Sequence, residues 1–233
     1  MNEADRALEA EARRVYARYV VEFVEAFNIC PWAARARQEG RTRVEVVCRA
    51  EPDPRHALDA VASLSADPEV EVGLVLFPRL ALPRAAFERF VGELRELDAA
   101  RYGIAGPVMA MAAFHPDAEP RTENPYQLVP FIRRSPDPTV QLVRRSVLDA
   151  VRKKGDHGTA WIDPATLDLA ALLATKPKPP LHERVAQANL ETLTTHGLDA
   201  IEALFQDIRR DRDESYRALE ARFSGARRAG DAS

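Results

Sequence analysis

The sequence predicts an α/β fold with three to four mostly parallel strands, crossover helices between them, and helical additions at both ends. Two observations lead to this prediction. The runs 70–77 and 108–114 are almost continuously apolar, as in strands that are covered on both faces. Segments with a helical period separate these runs, and such alternation is typical of crossover units in a mainly parallel sheet.

The first half of the chain supplies most of these elements. An opening helix is predicted from apolar residues at spacings of four and seven, which are Leu8, Val15, Tyr19, Phe23 and Phe27. A second, short helix follows Pro31 and stops at Gly40, because proline favours a first helical position and glycine a helix end. The next predicted elements are strand 43–48, helix 56–64, strand 70–77, helix 87–97 and strand 108–114.

The second half is predicted to be mainly helical. After a proline-rich loop over 114–138, Asp137 and Pro138 suggest the start of a helix that runs to Gly155. A short fourth strand at 159–162, a helix at 163–173 and a stiff segment at 175–180 follow. Two helices, 181–195 and 198–223, close the chain. We therefore expect one α/β domain over 1–197, then a C-terminal helix and frayed tail over 198–233.

Composition narrows the class of partner. The 233 residues carry a net charge of −3, which argues against nucleic acid or a membrane surface as the partner. No apolar run approaches the roughly 18 residues that a membrane span needs. The two cysteines make no disulfide framework, and the acidic start lacks a signal-peptide core, so we expect a cytoplasmic protein. Glycine-rich phosphate loops are absent, which leaves nucleotide-dependent chemistry unsupported.

Two residues could do chemistry. Cys30 follows a predicted helix and precedes Pro31, so we expect it at the N-cap of the second helix, where backbone N–H groups lower a thiol pKa. It could equally be a buried, inert cysteine. His115 directly follows a predicted strand, at the sheet edge where α/β proteins bind ligands. It could act as a general base or ligand, or could only stabilise a loop.

Four other polar residues are candidates for binding or orientation. Arg133 and Arg134, followed by Ser135, stand before the predicted start of a helix, a place suited to a carboxylate or phosphate. A surface turn with paired arginines is the alternative. Asn189 lies inside an amphipathic helix, where asparagine is unfavourable, so it either orients a partner side chain or faces solvent.

Four short motifs in this order resemble a bacterial family known as domain of unknown function 1415. They are Asn28-Ile-Cys30-Pro31-Trp32-Ala33, Phe114-His115-Pro116, Arg133 to Thr139, and Ala188-Asn189-Leu-Glu-Thr-Leu193. The resemblance implies functional roles for Asn28, Cys30, Pro31, His115, Arg134, Ser135 and Asn189. Trp32, Arg133 and Asp137 depart from the family pattern, which suggests a ligand different from that of the typical member.

Three functions follow as hypotheses. The first is an enzyme that acts on a small anionic molecule. Cys30 would be its nucleophile or redox centre, His115 would transfer protons, and Asn189 would orient His115 or the substrate. The substrate would be bound by Asn28, Trp32, Arg133, Arg134 and Ser135. The second is a haem protein, with Cys30 or His115 as axial ligand. The third is an oligomeric binding module whose anchors are Phe205, Tyr216 and Phe223.

Overall fold

The computed structural model of this chain describes residues 2–30, 32–118, 128–153 and 181–230. The strand predicted at 159–162, the helix at 163–173 and the segment 175–180 lie outside these ranges. Within them, the predicted N-terminal elements are confirmed with small shifts at their ends. They are helix α1 (Glu3–Tyr19), a π-helix (Val20–Glu25), α2 (Ala33–Gln38), β1 (Thr42–Val46), α3 (Arg55–Ala66), β2 (Val72–Leu76), α4 (Arg84–Ala99) and β3 (Met109–Phe114).

The remaining elements differ from the prediction at one place. They are α5 (Val129–Ile132), strand β4 (Thr139–Arg144), α6 (Arg145–Lys153), α7 (Leu181–His196) and α8 (Leu198–Gly230). The helix predicted from Asp137 onward is wrong in its first part, because residues 139–144 form a strand. Val140 and Val143 fit a helical spacing, but Val140 and Leu142, which flank Gln141 and pack in one cluster, fit the alternation of a strand. Its β-branched residues favour the strand.

Strand β4 changes the sheet from the predicted mostly parallel type to a mixed one. The strand order is β1-β2-β4-β3, and β1 pairs in parallel with β2. Strand β4 lies antiparallel between β2 and β3, with Leu74 and Ala112 both opposite Gln141. The class α/β is confirmed, whereas predominantly parallel pairing is wrong.

The sheet separates two layers of helices, each with its own hydrophobic cluster. On one face, Val75, Val140 and Leu142 pack with residues of α3 and α4, including Val61 and Phe87. On the other face, the even-numbered residues of β2 pack with α1, the π-helix and α8. Alternate strand residues point to opposite faces, so β2 contributes to both clusters.

The long C-terminal helix α8 packs into the core. Its Ile201, Phe205 and Ile208 are fully buried in the same cluster as Tyr19 and Phe23 of the N-terminal elements. Phe205 and Tyr216, two of the three expected partner anchors, are therefore core residues; Phe223 is half-buried. In the described part of the chain, no helix is both long and apolar enough to cross a membrane.

Candidate functional site

A cavity of about 380 Å³ lies between the sheet and the N-terminal helices. All four strands form its floor, through Thr42, Val44, Val72, Leu74, Ala112 and Gln141. Its volume is within the range of small-molecule sites, which are mostly apolar with a few polar groups. The cavity is therefore the first place to look for a ligand.

Cys30 lines this cavity, but two details of its environment differ from the sequence prediction. The N-cap of α2 is Trp32, two residues further along. Burial also raises the pKa of the Cys30 thiol to about 11, although the backbone N–H groups of Trp32 and Ala33 act in the opposite direction. The expected lowered pKa is wrong, because removal from water outweighs two hydrogen bonds. At neutral pH the residue is a thiol.

The backbone that carries Cys30 to the cavity is irregular. Helix α1 continues as a π-helix over Val20–Glu25, and both Val20 and Val24 line the cavity. Asn28 then adopts φ +49°, a left-handed conformation that asparagine tolerates better than most residues. Its exposed side chain is not part of the cavity wall, so its visible role is in the turn. π-helical segments often occur at functional sites.

Trp32 contributes an N–H group that lacks an acceptor. Its indole lines the cavity, and Nε1 is buried with no hydrogen-bond partner among the described residues. A buried, unpaired donor costs about 1–3 kcal/mol of stability. The described part of the cavity wall holds no carboxylate and no imidazole, and hence no general base beside the thiol.

The structure places His115 on the other face of the sheet from Cys30. Phe114 points into the cavity, and the next residue therefore points away from it, against Phe87 of the α3/α4 layer. Both ring nitrogens are engaged: Nδ1 accepts from the Asp117 N–H at 3.1 Å, so Nε2–H donates to the Leu82 carbonyl at 2.9 Å. Burial lowers the pKa of His115. This neutral ring joins two loops and does not contact Cys30.

The variant His115→Ala should therefore change stability and leave the cavity unchanged. The loss of two buried hydrogen bonds is expected to cost about 1–3 kcal/mol of unfolding free energy in urea denaturation. The rate at which N-ethylmaleimide modifies Cys30 at pH 8 should stay within about twofold of wild type. A rate that falls tenfold in the folded variant would restore His115 as a partner of the thiol.

Arg134 and Ser135 are buried and make contacts within the protein. The Arg134 guanidinium is buried, pairs with both oxygens of Glu202 on α8, and lies 4.2 Å from the ring centre of Phe205. The fully buried Ser135 donates to the Asp137 carbonyl at 2.5 Å. Neither residue lines the cavity, so the contacts that they make are internal. The predicted anion site before a helix is wrong in its setting, since a strand follows these residues.

Arg133 differs from its neighbour. It lines the cavity, is exposed, and has no hydrogen bond or ion pair to another described residue. Its carbonyl accepts from the His115 N–H at 2.9 Å, which fixes it beside the end of β3. Of the two arginines predicted to bind an anion, only Arg133 has a guanidinium that is available to one.

Asn189 is buried, not exposed. Only 1 % of it is accessible on α7, and its Nδ2 has no hydrogen-bond partner within the described residues. It does not line the cavity, whereas Val185, one helical turn earlier, does. The structure therefore brings Cys30, Trp32 and Arg133 to one cavity and leaves His115, Arg134, Ser135 and Asn189 outside its wall.

Sequence reasoning missed the cavity residues of the first helix. Tyr16 is buried and lines the cavity with Cys30; burial, and then the charge of Cys30, raise the pKa of Tyr16. Tyr16, Val20 and Val24 follow one another at a spacing of four, as a second stripe next to the predicted one. That second stripe is the signal by which these residues could have been found.

Comparison with protein families matches residues 11–161 to the family described as Protein of unknown function (DUF1415). The chain belongs to this family. The family match includes Cys30, Trp32, His115 and Arg133 and ends before Asn189, so the first three of the four motifs lie within it. No curated protein and no solved structure matches the chain.

The described residues of this family member offer few ligands to a metal or haem cofactor. No group of three His, Cys, Asp or Glu side chains able to hold a metal ion occurs among them. For the haem hypothesis, the nitrogens of His115 are already bonded, so Cys30 is the candidate axial ligand that faces a cavity.

Proposed function

We propose that this protein binds a small organic anion with an apolar body in the cavity, and that the Cys30 thiol is the reactive group of the site. The observation that carries this proposal is that Cys30, Trp32 and Arg133, which has no partner among the described residues, line one cavity between sheet and helices. The apolar walls suit a hydrocarbon part, and a guanidinium matches a carboxylate or phosphate. As an enzyme it would act by thiol chemistry on this anion.

The chemistry open to a neutral thiol is addition to an electrophilic carbon of the ligand. The sulfur forms a bond to that carbon, the electron pair of the carbon's π bond moves to its partner atom, and that atom receives the thiol proton. With no carboxylate or imidazole in the described wall, the ligand itself takes the proton.

A matched pair of probes tests the binding proposal. In the variant Trp161→Phe, Trp32 is the single tryptophan, because the chain contains two. We expect octanoate to change the Trp32 emission and to bind about tenfold more tightly than octan-1-ol, since a charge-assisted hydrogen bond contributes about 1.5–3 kcal/mol. Saturating octanoate should also slow modification of Cys30 by N-ethylmaleimide.

Two variants supply the controls. Val44→Phe fills the cavity floor and should abolish the binding of both probes, whereas Arg43→Gln, exposed on the same strand, should leave it unchanged. Arg133→Gln should remove the preference for octanoate over the alcohol. Equal affinities for the two probes in wild type would contradict the anion, and the absence of binding by either would contradict the cavity as a ligand site.

A further inference from the structure

Arg133 is one of three arginines grouped at the edge formed by β3. Arg95 on α4 reaches this edge and donates from Nη2 to the Met111 carbonyl at 3.0 Å. Arg84, at the start of α4, acts electrostatically on both Arg133 and His115. We call Arg84, Arg95 and Arg133 the edge cluster. It adjoins the cavity because Arg133 and the β3 residues Ala112 and Phe114 also line the cavity.

The edge cluster holds more positive charge than its neighbours neutralise. Although Arg133 is exposed, protein atoms surround part of its guanidinium; this burial and then the charges of Arg95 and Arg84 lower its pKa. Glu88 is the carboxylate that acts in the opposite direction, and it is already bonded to Arg84 Nε at 3.0 Å. Among the described residues, three guanidiniums against one carboxylate leave a net charge of +2.

Most donors of the cluster remain free to bind a ligand. A guanidinium has five N–H groups. Among the described residues, Arg95 uses its Nη2 for one backbone carbonyl, Arg84 uses Nε for Glu88, and Arg133 uses none. Several other described arginines pair with carboxylates, as Arg14 and Arg18 do with Asp211. Like charges held together without counter-charge are unfavourable unless an anion joins them.

From this geometry we infer that the edge cluster is the subsite for a dianionic phosphoryl group of the ligand whose apolar part occupies the cavity. A phosphate monoester carries close to two negative charges at neutral pH, which matches the charge of +2. Its three terminal oxygens are acceptors for guanidinium N–H groups such as those at this edge. The inference relies on the proposed function for the apolar part of the ligand only, since Arg84 and Arg95 do not line the cavity.

The test uses octyl phosphate, octanoate, octan-1-ol and inorganic phosphate, with Trp32 emission read in the Trp161→Phe chain and calorimetry for inorganic phosphate. We expect octyl phosphate to bind about tenfold more tightly than octanoate. Arg95→Gln and Arg84→Gln should each lower the affinity for octyl phosphate by about tenfold, because each removes a charge-assisted hydrogen bond. Neither variant should change the affinity for octan-1-ol. Arg55→Gln, an exposed arginine at the start of α3, serves as the matched control.

The outcomes separate this inference from the proposed function. If octyl phosphate binds no better than octanoate, or if Arg95→Gln and Arg84→Gln weaken it no more than Arg55→Gln does, the phosphoryl subsite is wrong even though the cavity binds. If octan-1-ol fails to bind while inorganic phosphate binds and loses affinity in Arg95→Gln, the cavity proposal fails and the edge cluster stands. Raising the salt concentration should weaken the binding of octyl phosphate and leave the binding of octan-1-ol unaffected.

Discussion

Replacing Arg212 with methionine is expected to lower the free energy of unfolding by about 3–5 kcal/mol, because it leaves a buried carboxylate without its cation. The Asp137 side chain is only 3 % exposed. It accepts from Arg212 Nε at 2.9 Å and from the Tyr216 hydroxyl at 2.7 Å, and both partners lie on α8. This group fastens the long helix to the start of β4. Urea denaturation followed by circular dichroism measures the loss.

Two variants show whether the charge is responsible. Adding Asp137→Asn to Arg212→Met removes the stranded carboxylate and should recover most of the lost stability. Arg209→Met, three residues earlier on the same helix, breaks a pair with the exposed Asp117 and should cost less than about 1 kcal/mol. A loss in Arg212→Met no larger than in Arg209→Met would contradict this account of how α8 is held.

The pH dependence of this variant has a definite sign. Burial raises the pKa of Asp137, with Arg212 and Tyr216 acting against it. A carboxyl group with a raised folded-state pKa favours folding below its unfolded pKa, and that contribution is lost as pH rises through the folded value. Removing Arg212 raises the pKa further. The deficit of Arg212→Met should therefore shrink as pH falls from about 7 to about 4.

The second large effect concerns the reactivity of Cys30. With its pKa raised to about 11, its thiolate fraction at neutral pH is roughly 100-fold below that of a thiol with the ordinary value of 9.0. In a Cys48→Ser chain, where Cys30 alone reports, iodoacetamide should react roughly 100-fold more slowly with the folded protein than with the unfolded one. The folded rate should rise about tenfold per pH unit until about pH 11.

The matching Cys30→Ser chain is the control, since it isolates Cys48. Cys48 lies at the end of β1 and is half-buried, and burial raises its pKa as well. Its reaction in the folded chain sets the background for the measurement. A Cys30 rate that reaches its plateau below pH 9 would mean that the thiolate is stabilised, as the sequence predicted, and would favour a nucleophile that is charged at rest.

Most of the fold could be predicted because its signals are local. Continuous apolar runs located β2 and β3, and the helical spacing of Phe87, Val91 and Leu94 located α4. Strand β4 escaped prediction because its residues fit two periods: Val140 and Val143 have a helical spacing, whereas Val140 and Leu142 have that of a strand, and only contacts with neighbouring elements decide between them. Placing β4 between β2 and β3 depends on contacts remote in sequence, which no local pattern specifies.

Part of the candidate site could also be predicted, because its motifs are local in the sequence. Motifs identified Cys30, Trp32 and Arg133, which share the cavity, but also His115, which lies across the sheet. One residue decides this difference: Phe114 faces the cavity, and the alternation of a strand turns His115 away. Burial, which sets the thiol pKa, is likewise a property of the folded chain.

The late position of β4 in the chain bears on the order in which the sheet is completed during synthesis. Strand β2 is joined to β1 early, but its other edge has no partner until residues 139–144 have emerged from the ribosome. Unpaired strand edges are templates for association with other chains. Nascent chains that stall between β3 and β4 should thus be the species most prone to aggregate and most dependent on chaperones.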